Sequence, residues 1–308
     1  MKKLTRIEGL VAAPFAPMDR QGEINLDIIP DYYSFLEKNG VKGVFINGTT
    51  GEGASLTQEE KRSVIDAWTS FGKTRNTMDI ISLVGGTSYK ECIENAVYSL
   101  DKEVSAIAVI APYFFKPADI DHLAGFIKKI ASAVPGLPVF FYHIPSITGV
   151  NFQMTALLKK MDEELPGFEG IKYTHEDFMD FLSCLNFMNG KYQMFWGRDE
   201  CMLSALALGT KAFIGSTYNY AAPLYHQIAE AFGRNDLTEA RNLQQLSVNM
   251  IRLLDKYGGI AAGKAFMRYI GFDFGKFRSP VINMTEEMHG QFVKDVKILK
   301  MEELFSKK

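Results

Sequence analysis

Eight short apolar runs rich in strand-forming residues recur along the chain, at 10–13, 44–47, 80–84, 107–110, 139–142, 170–173, 194–196 and 212–214. Within each run hydrophobicity is continuous rather than alternating, the pattern of strands buried on both faces of a parallel sheet. Their centres lie roughly 20–35 residues apart, room for a strand and a crossover helix. The gaps carry helical spacing. Residues 57–71 open on Thr57-x-x-Glu60, a capping box, and place Val64, Ile65 and Trp68 on one face. Residues 88–100 repeat Ile93, Ala96, Val97 and Leu100 in the same way, 119–134 repeat Ile120, Leu123, Ile127 and Ile130, and further helices fall at 178–188 and 200–208.

Eight strand–helix units with no Ser/Gly/Pro-rich linker between them predict one domain, residues 1–308, with an α/β fold: a (β/α)8 TIM barrel over 9–232. A closing helix is expected at 223–232, and 236–308 supply additional C-terminal helices, at 237–257, 260–270 and 286–304. The competing architecture is a doubly wound open sheet. It would carry a Gly-rich dinucleotide turn after the first strand, and Leu10-Val11-Ala12-Ala13-Pro14-Phe15 has none.

Composition narrows the function classes. With 34 basic and 36 acidic side chains the net charge is −2, which offers little to a nucleic acid or an anionic membrane surface. The longest unbroken apolar run, 106–111, falls far short of the ~18 residues a membrane helix requires. Aromatic content of 12% and a mean hydropathy of −0.05 leave ample material for a core and argue against disorder. Thr5, Arg6 and Glu8 interrupt any apolar stretch behind Met1-Lys2-Lys3, so no secretory signal is expected. Cys92, Cys184 and Cys201 form no C-x-x-C pair, each reads as a small core residue, and a cytoplasmic location follows as the expectation. On that ground the sequons Asn47-Gly48-Thr49 and Asn283-Met284-Thr285 are chance matches.

In a parallel barrel the chemistry sits at the carboxyl ends of the strands. Here those ends are polar and Gly-rich: Asn47-Gly48-Thr49-Thr50-Gly51-Glu52, Tyr142-His143-Ile144-Pro145-Ser146, Lys172-Tyr173-Thr174, Gly197-Arg198-Asp199-Glu200 and Gly215-Ser216-Thr217-Tyr218-Asn219. Lys172 stands out, because a lysine in an apolar strand is costly unless it is paired or used. Desolvation favours its neutral amine, which can attack a keto group and form a Schiff base that stabilises an adjacent carbanion. The competing reading is a lysine that caps the strand end with its ammonium in solvent. Thr49 and Thr50, two hydroxyls between glycines, make either a plain turn or a clasp for a carboxylate. Tyr142 is either a core tyrosine or, at the mouth beside an amine, a proton donor and acceptor. No metal is expected: the five histidines contain no H-E-x-x-H pattern, and His175-Glu176-Asp177 reads as the acid-rich start of a helix.

Taken together, Gly48-Thr49-Thr50-Gly51-Glu52, Tyr142-x-Ile144-Pro145, Lys172 and Gly215-Ser216-Thr217 resemble, in order and spacing, the N-acetylneuraminate lyase/dihydrodipicolinate synthase superfamily. The likeness runs over residues 10–219 and more weakly through the C-terminal helices. It implies a (β/α)8 barrel, usually a homotetramer, that forms a lysine Schiff base with pyruvate and needs no metal or organic cofactor. Within the superfamily the chain looks most like the lyase branch. By that resemblance Lys172 forms the Schiff base, Tyr142 relays the proton of the C4 hydroxyl, and Thr49 and Thr50 hold the carboxylate of the pyruvate portion. Thr174, Gly197, Asp199, Glu200 and Ser216 would recognise the polyhydroxyl tail. The implied reaction is reversible cleavage of N-acetylneuraminate to pyruvate and N-acetylmannosamine. A dihydrodipicolinate synthase or a 2-keto-3-deoxy sugar acid aldolase would use the same lysine. Against the synthase, Ile147 stands where its substrate-pairing arginine is expected, and Phe114, next to Tyr113, where a tyrosine from a neighbouring subunit is expected. The resemblance assigns no role to His143 or Arg198.

Overall fold

A computed structural model describes residues 6–308; Met1-Lys2-Lys3 and Thr5, read above for a targeting signal, lie outside the described residues. Eight strands, β1 (Gly9–Ala12), β2 (Gly43–Ile46), β3 (Asp79–Leu83), β4 (Ala106–Ile110), β5 (Val139–His143), β6 (Phe168–Tyr173), β7 (Gln193–Trp196) and β8 (Ala212–Gly215), form a closed parallel barrel in chain order. β1 pairs with both β2 and β8, so no sheet edge is left open. Each strand begins and ends within two residues of an expected apolar run.

Continuity of those runs has a simple cause. Alternate residues enter two different cores. Val11, Phe45, Ile81, Ala108, Phe140, Tyr142, Phe195 and Ile214 fill the barrel interior, while their strand neighbours Leu10, Val44, Ile80, Val109, Phe141 and Phe213 join the larger layer beneath the helices. The register slips once where it matters. Between Val139 and Phe140 the β5–β6 ladder skips Glu169, pairing Phe140 with Gly170 and so setting Tyr142 opposite Lys172. Gly170 is needed at this slip, since a Cβ there would lie 1.8 Å from the Gln193 carbonyl oxygen.

Around the barrel lie α1 (Ile29–Lys38), α2 (Gln58–Arg75), α3 (Tyr89–Asp101), α4 (Ile120–Ala131), the single turn α5 (Pro145–Thr148), α6 (Met154–Glu164), α7 (Phe178–Asn186), α8 (Met202–Ala207) and α9 (Tyr218–Gly233). The capping box of α2 forms as read: Glu60 N–H donates to Thr57 Oγ1 at 3.2 Å and Thr57 N–H to Glu60 Oε2 at 2.8 Å. Asp177 caps α7 by accepting from Asp180 N–H at 3.1 Å, which explains the acid-rich His175-Glu176-Asp177. Besides the single turn α5, two helices escaped the periodicity reading, α1 and α6, although α1 buries Ile29, Tyr32, Tyr33, Phe35 and Leu36. α9 starts ahead of Pro223 because the chain kinks at Ala221 (φ −137°), which accommodates the proline's missing donor inside the helix.

α10 (Leu237–Lys256), α11 (Ala261–Tyr269) and α12 (Glu286–Ile298) complete the chain. Tyr220 of α9 stacks on Phe266 of α11 at 4.6 Å, and Phe266 meets Phe292 of α12 edge-on at 4.8 Å, an aromatic column that binds these helices to the barrel. Among the described residues no helix is long and apolar enough to cross a membrane.

Candidate active site

Strand parity builds the site. Lys172 and Tyr142 point inward from adjacent strands, and Phe45 points inward from β2. Lys172 is 5% exposed, with Nζ 4.0 Å from the centre of the Phe45 ring and 3.9 Å from that of Tyr142. A solvent-facing strand cap is thereby excluded. Burial pulls the amine from the usual lysine range down to about 7, opposed in part by the negative charge of Asp199. The rings can stabilise the ammonium through their faces, yet that is worth roughly 0.5–2 kcal/mol, too little to reverse the desolvation.

Tyr142 is buried, which raises its phenol, while the hydroxyls of Thr49 and Thr174 act in the opposite sense. Thr174 Oγ1 is buried beside the Tyr142 hydroxyl and makes no well-formed hydrogen bond within the protein, which leaves it capacity for a ligand. Thr49 is exposed and Thr50 buried in the turn that follows β2. That turn is held by Glu52 N–H to the Thr49 carbonyl at 3.1 Å and Gly53 N–H to the Gly48 carbonyl at 3.0 Å.

Asp199 enters from the far side of the mouth. Its Oδ2 accepts from Thr217 N–H at 3.1 Å and Thr217 Oγ1 at 2.6 Å, whereas Oδ1 is buried with no partner. Burial raises its carboxyl, and the Thr217 bonds, Tyr218 and Lys172 pull it back down. Two glycines make the space. A Cβ at Gly215 would lie 1.9 Å from Asp199 Oδ1, and one at Gly197 would lie 2.1 Å from Thr174 Oγ1. Glu200 is half-buried and Ser216 half-buried beside them. Asn219 ties this loop to β1's end, donating to the Ala13 carbonyl at 2.7 Å and accepting from Tyr32 hydroxyl at 2.6 Å.

The structure thus brings Lys172, Tyr142, Thr49, Thr174, Gly197, Asp199 and Gly215 to one mouth, with Thr50, Glu200 and Ser216 on its loops. Sequence reading missed Phe45 and Thr217. Phe45 was legible, since it follows Val44 by one position in an apolar run and therefore has the opposite parity; Thr217 stood in the Gly215-Ser216-Thr217 segment that carries the resemblance, but nothing local gave its hydroxyl a role. Arg198 ion-pairs with Glu176 and, at 3.0 Å, with Glu200. His143 is buried against Tyr173 and His175, ring centres 5.0 and 5.7 Å apart, and burial lowers its pKa to about 3, so it carries no charge toward the site. Among the described residues no group of three or more His, Cys, Asp or Glu is placed to hold a metal ion.

Residues 6–299 match the dihydrodipicolinate synthetase family. The chain belongs to that family. It is 39% identical to the N-acetylneuraminate lyase of Rattus norvegicus over 92% of this chain and 89% of that one. Among solved structures, the Proteus mirabilis N-acetylneuraminate lyase superposes with a TM-score of 0.92 at 32% identity, covering 96% of this chain and 99% of that one. A catalytic lysine mutant of the Ruminococcus gnavus sialic acid aldolase superposes with a TM-score of 0.89 at 25% identity, covering 98% and 99%.

Proposed function

We propose that this protein is a class I aldolase that reversibly cleaves N-acetylneuraminate to pyruvate and N-acetylmannosamine. The observation that carries the reading is Lys172: a buried amine shifted to about 7, set between two aromatic rings and within the field of the Asp199 carboxylate. In this reading the free amine attacks the keto carbon of the open-chain sugar acid, and with one proton taken up from solvent the carbinol oxygen leaves as water, giving a protonated imine. Thr49 and Thr50 hold the adjacent carboxylate. Tyr142 takes the proton of the C4 hydroxyl as the C3–C4 bond breaks, and the bond's electron pair flows into the imine to give an enamine. A buried phenol resists becoming a phenolate, so Tyr142 hands its own proton to the Thr49 hydroxyl as it receives the substrate's, and Thr49 releases its proton in turn to the carboxylate it holds, from which the enamine can take it back. Protonation of the enamine at C3 and hydrolysis of the imine release pyruvate and restore Lys172.

The tail contacts follow from donor counting. Asp199 Oδ1 and Thr174 Oγ1 are buried and make no well-formed hydrogen bond within the protein, and a polyhydroxyl chain supplies the donors and acceptors they lack. Glu200 is the further acceptor on the same side, oriented by Arg198, with Ser216 and the open backbone at Gly197 completing the lining. Ile147, exposed on α5, offers no pairing for the anionic second substrate of a synthase. The names of the lyases to which the chain is similar support the same choice of substrate.

A homotetramer of one-domain subunits, with 236–308 as appended helices, is the assembly we propose. Tyr113, Phe114 and Phe115 leave a large apolar face exposed after β4, which suits burial against a second copy. A cytoplasmic location fits three free cysteines. Pyruvate release should be measured with N-acetylneuraminate and with 2-keto-3-deoxygluconate, and pyruvate consumption with the synthase substrates, in parallel. Turnover of the first is expected; turnover of either of the others in its place would overturn the assignment. Borohydride reduction in the presence of pyruvate should add a stable mass to the peptide holding Lys172.

A further inference from the structure

Behind the Thr49–Thr50 turn lies an ion pair that the reaction itself does not use. Glu52 ends the turn, but its side chain leaves the mouth and reaches α11, where Oε1 accepts from Lys264 Nζ at 2.8 Å. The two side chains are 3% and 4% exposed. Glu52 Oε2 accepts from the backbone N–H of Arg278 at 2.8 Å, and Lys264 Nζ also donates to the Lys276 carbonyl at 3.1 Å and lies 4.6 Å from the centre of the Phe277 ring. The Arg278 guanidinium then bonds Glu60, the residue of the capping box that starts α2. One connected network therefore fastens the β2 turn to α11, to residues 276–278 and to the start of α2.

A buried ion pair is poor value for stability alone, because well-packed apolar side chains of similar size usually serve as well or better. This pair is placed where something else is at stake. Glu52 sits two residues from Thr50, in a turn whose Asn47 and Glu52 both adopt left-handed backbone (φ +57° and +54°). Such a conformation persists only where its surroundings over-determine it. Glu52 is also a carboxylate in the loop proposed to hold the substrate's carboxylate. Left unpaired, it would repel the anion the loop is to bind; turned outward and paired with Lys264, it does not.

We propose that Lys264 and Glu52 are positioning residues for the carboxylate clasp: the pair locks the Thr49–Thr50 turn in its binding geometry and cancels the charge of Glu52 there. The proposal rests on the assignment of Thr49 and Thr50 to the pyruvyl carboxylate. It makes α11 a working part of the site rather than an outlying appendage.

Two readouts on the full-length protein test it. The first is hydrogen exchange of residues 47–53 without ligand, in Lys264→Met, Glu52→Gln and the double variant. The second is borohydride trapping against pyruvate concentration in the same proteins. Lys264→Met should speed exchange in 47–53 while the barrel strands stay protected, and should raise the half-saturating pyruvate concentration about 10-fold or more with the saturating trapping rate nearly kept. Glu52→Gln, which keeps a hydrogen-bonding side chain and removes the charge, should be milder, and the double variant should recover part of the loss because neither charge is stranded. Unchanged exchange in 47–53 and unchanged half-saturation in Lys264→Met would overturn the proposal. So would a uniform rise in exchange across the strands, which marks a purely structural pair. If the unmodified protein fails to trap pyruvate, the aldolase reading is what falls, and the exchange arm alone decides whether the pair holds the turn.

Discussion

Lys172 stands directly across the β5–β6 ladder from Tyr142, and its Nζ lies 3.9 Å from the centre of the tyrosine ring. The pairing exists because the register slips past Glu169; a straight ladder from Val139 and Phe168 would have set Ile171 opposite Tyr142 instead. Amine and phenol therefore meet from neighbouring strands, and both are held by the interior of the barrel rather than by a loop.

The first prediction concerns activity against pH. Only the free amine of Lys172 attacks a keto group, and its pKa lies near 7. Its conjugate acid dominates below that value, so kcat/KM should climb with pH through about 7 and level off above it. Initial-rate measurements from pH 5.5 to 9 would check this. A profile that is flat across neutrality, or one that rises only near the ordinary lysine pKa of ~10.4, contradicts a desolvated nucleophile.

Stability supplies an independent check on the same group. The folded protein holds Lys172 at about 7, whereas the unfolded chain returns it to an ordinary value, so between those two values the unfolded state binds more protons. The cost of burying this lysine is therefore fully present below about pH 7 and fades as pH rises toward ~10. Lys172→Met removes the cost. Urea unfolding at pH 6 should show the variant more stable than the unmodified protein, by roughly 3–5 kcal/mol at most, with the gain shrinking by pH 9.5. A variant less stable at pH 6 would show that the amine is not desolvated as described.

How far the sequence foretold this site depends on which physical signal each part leaves. The eight runs announced the strands, because residues that face two cores must be apolar at every position. Lys172 announced itself by violating that rule. α1 and α6 were missed, since an amphipathic stripe of Tyr and Phe or of Leu and Met looks like ordinary core sequence without a marked cap. Asp199 was legible only through the family likeness, and its support from Thr217 not at all, because a loop hydroxyl acquires meaning only when the fold sets it 2.6 Å from a carboxylate. The Glu52–Lys264 contact joins residues 212 positions apart, and no local pattern foretells such a pair.

Tyr142→Phe separates the two halves of the reaction. Schiff-base formation needs the amine and the clasp, while carbon–carbon cleavage also needs a group to take the C4 hydroxyl proton. The ring that flanks Lys172 and meets Phe45 at 5.4 Å survives the substitution, so the local packing is kept. Borohydride trapping with pyruvate should stay close to normal, while kcat for N-acetylneuraminate cleavage should drop about 10²–10⁴-fold, the usual contribution of a positioned proton-transfer group. Equal loss in both assays would mean that Tyr142 acts on the amine rather than on the sugar hydroxyl.

Gly215→Ala tests whether Asp199 recognises the sugar tail. The added Cβ would fall 1.9 Å from Asp199 Oδ1 and 2.4 Å from its Oδ2, so the carboxylate must swing away from Thr217 or the end of β8 must shift. Either movement weakens the bonds at 3.1 and 2.6 Å that orient it. On the proposed assignment the pyruvyl carboxylate is held at Thr49 and Thr50, away from Gly215, so pyruvate trapping should be nearly unaffected. KM for N-acetylneuraminate should rise about 10–100-fold, the range expected when a buried hydrogen-bonding group loses its place. Thr217→Val, which removes one of the two bonds without adding a clash, should shift KM in the same direction by less. If Gly215→Ala left KM unchanged in a folded protein, Asp199 would have to be a support for the loop and not a contact for the sugar.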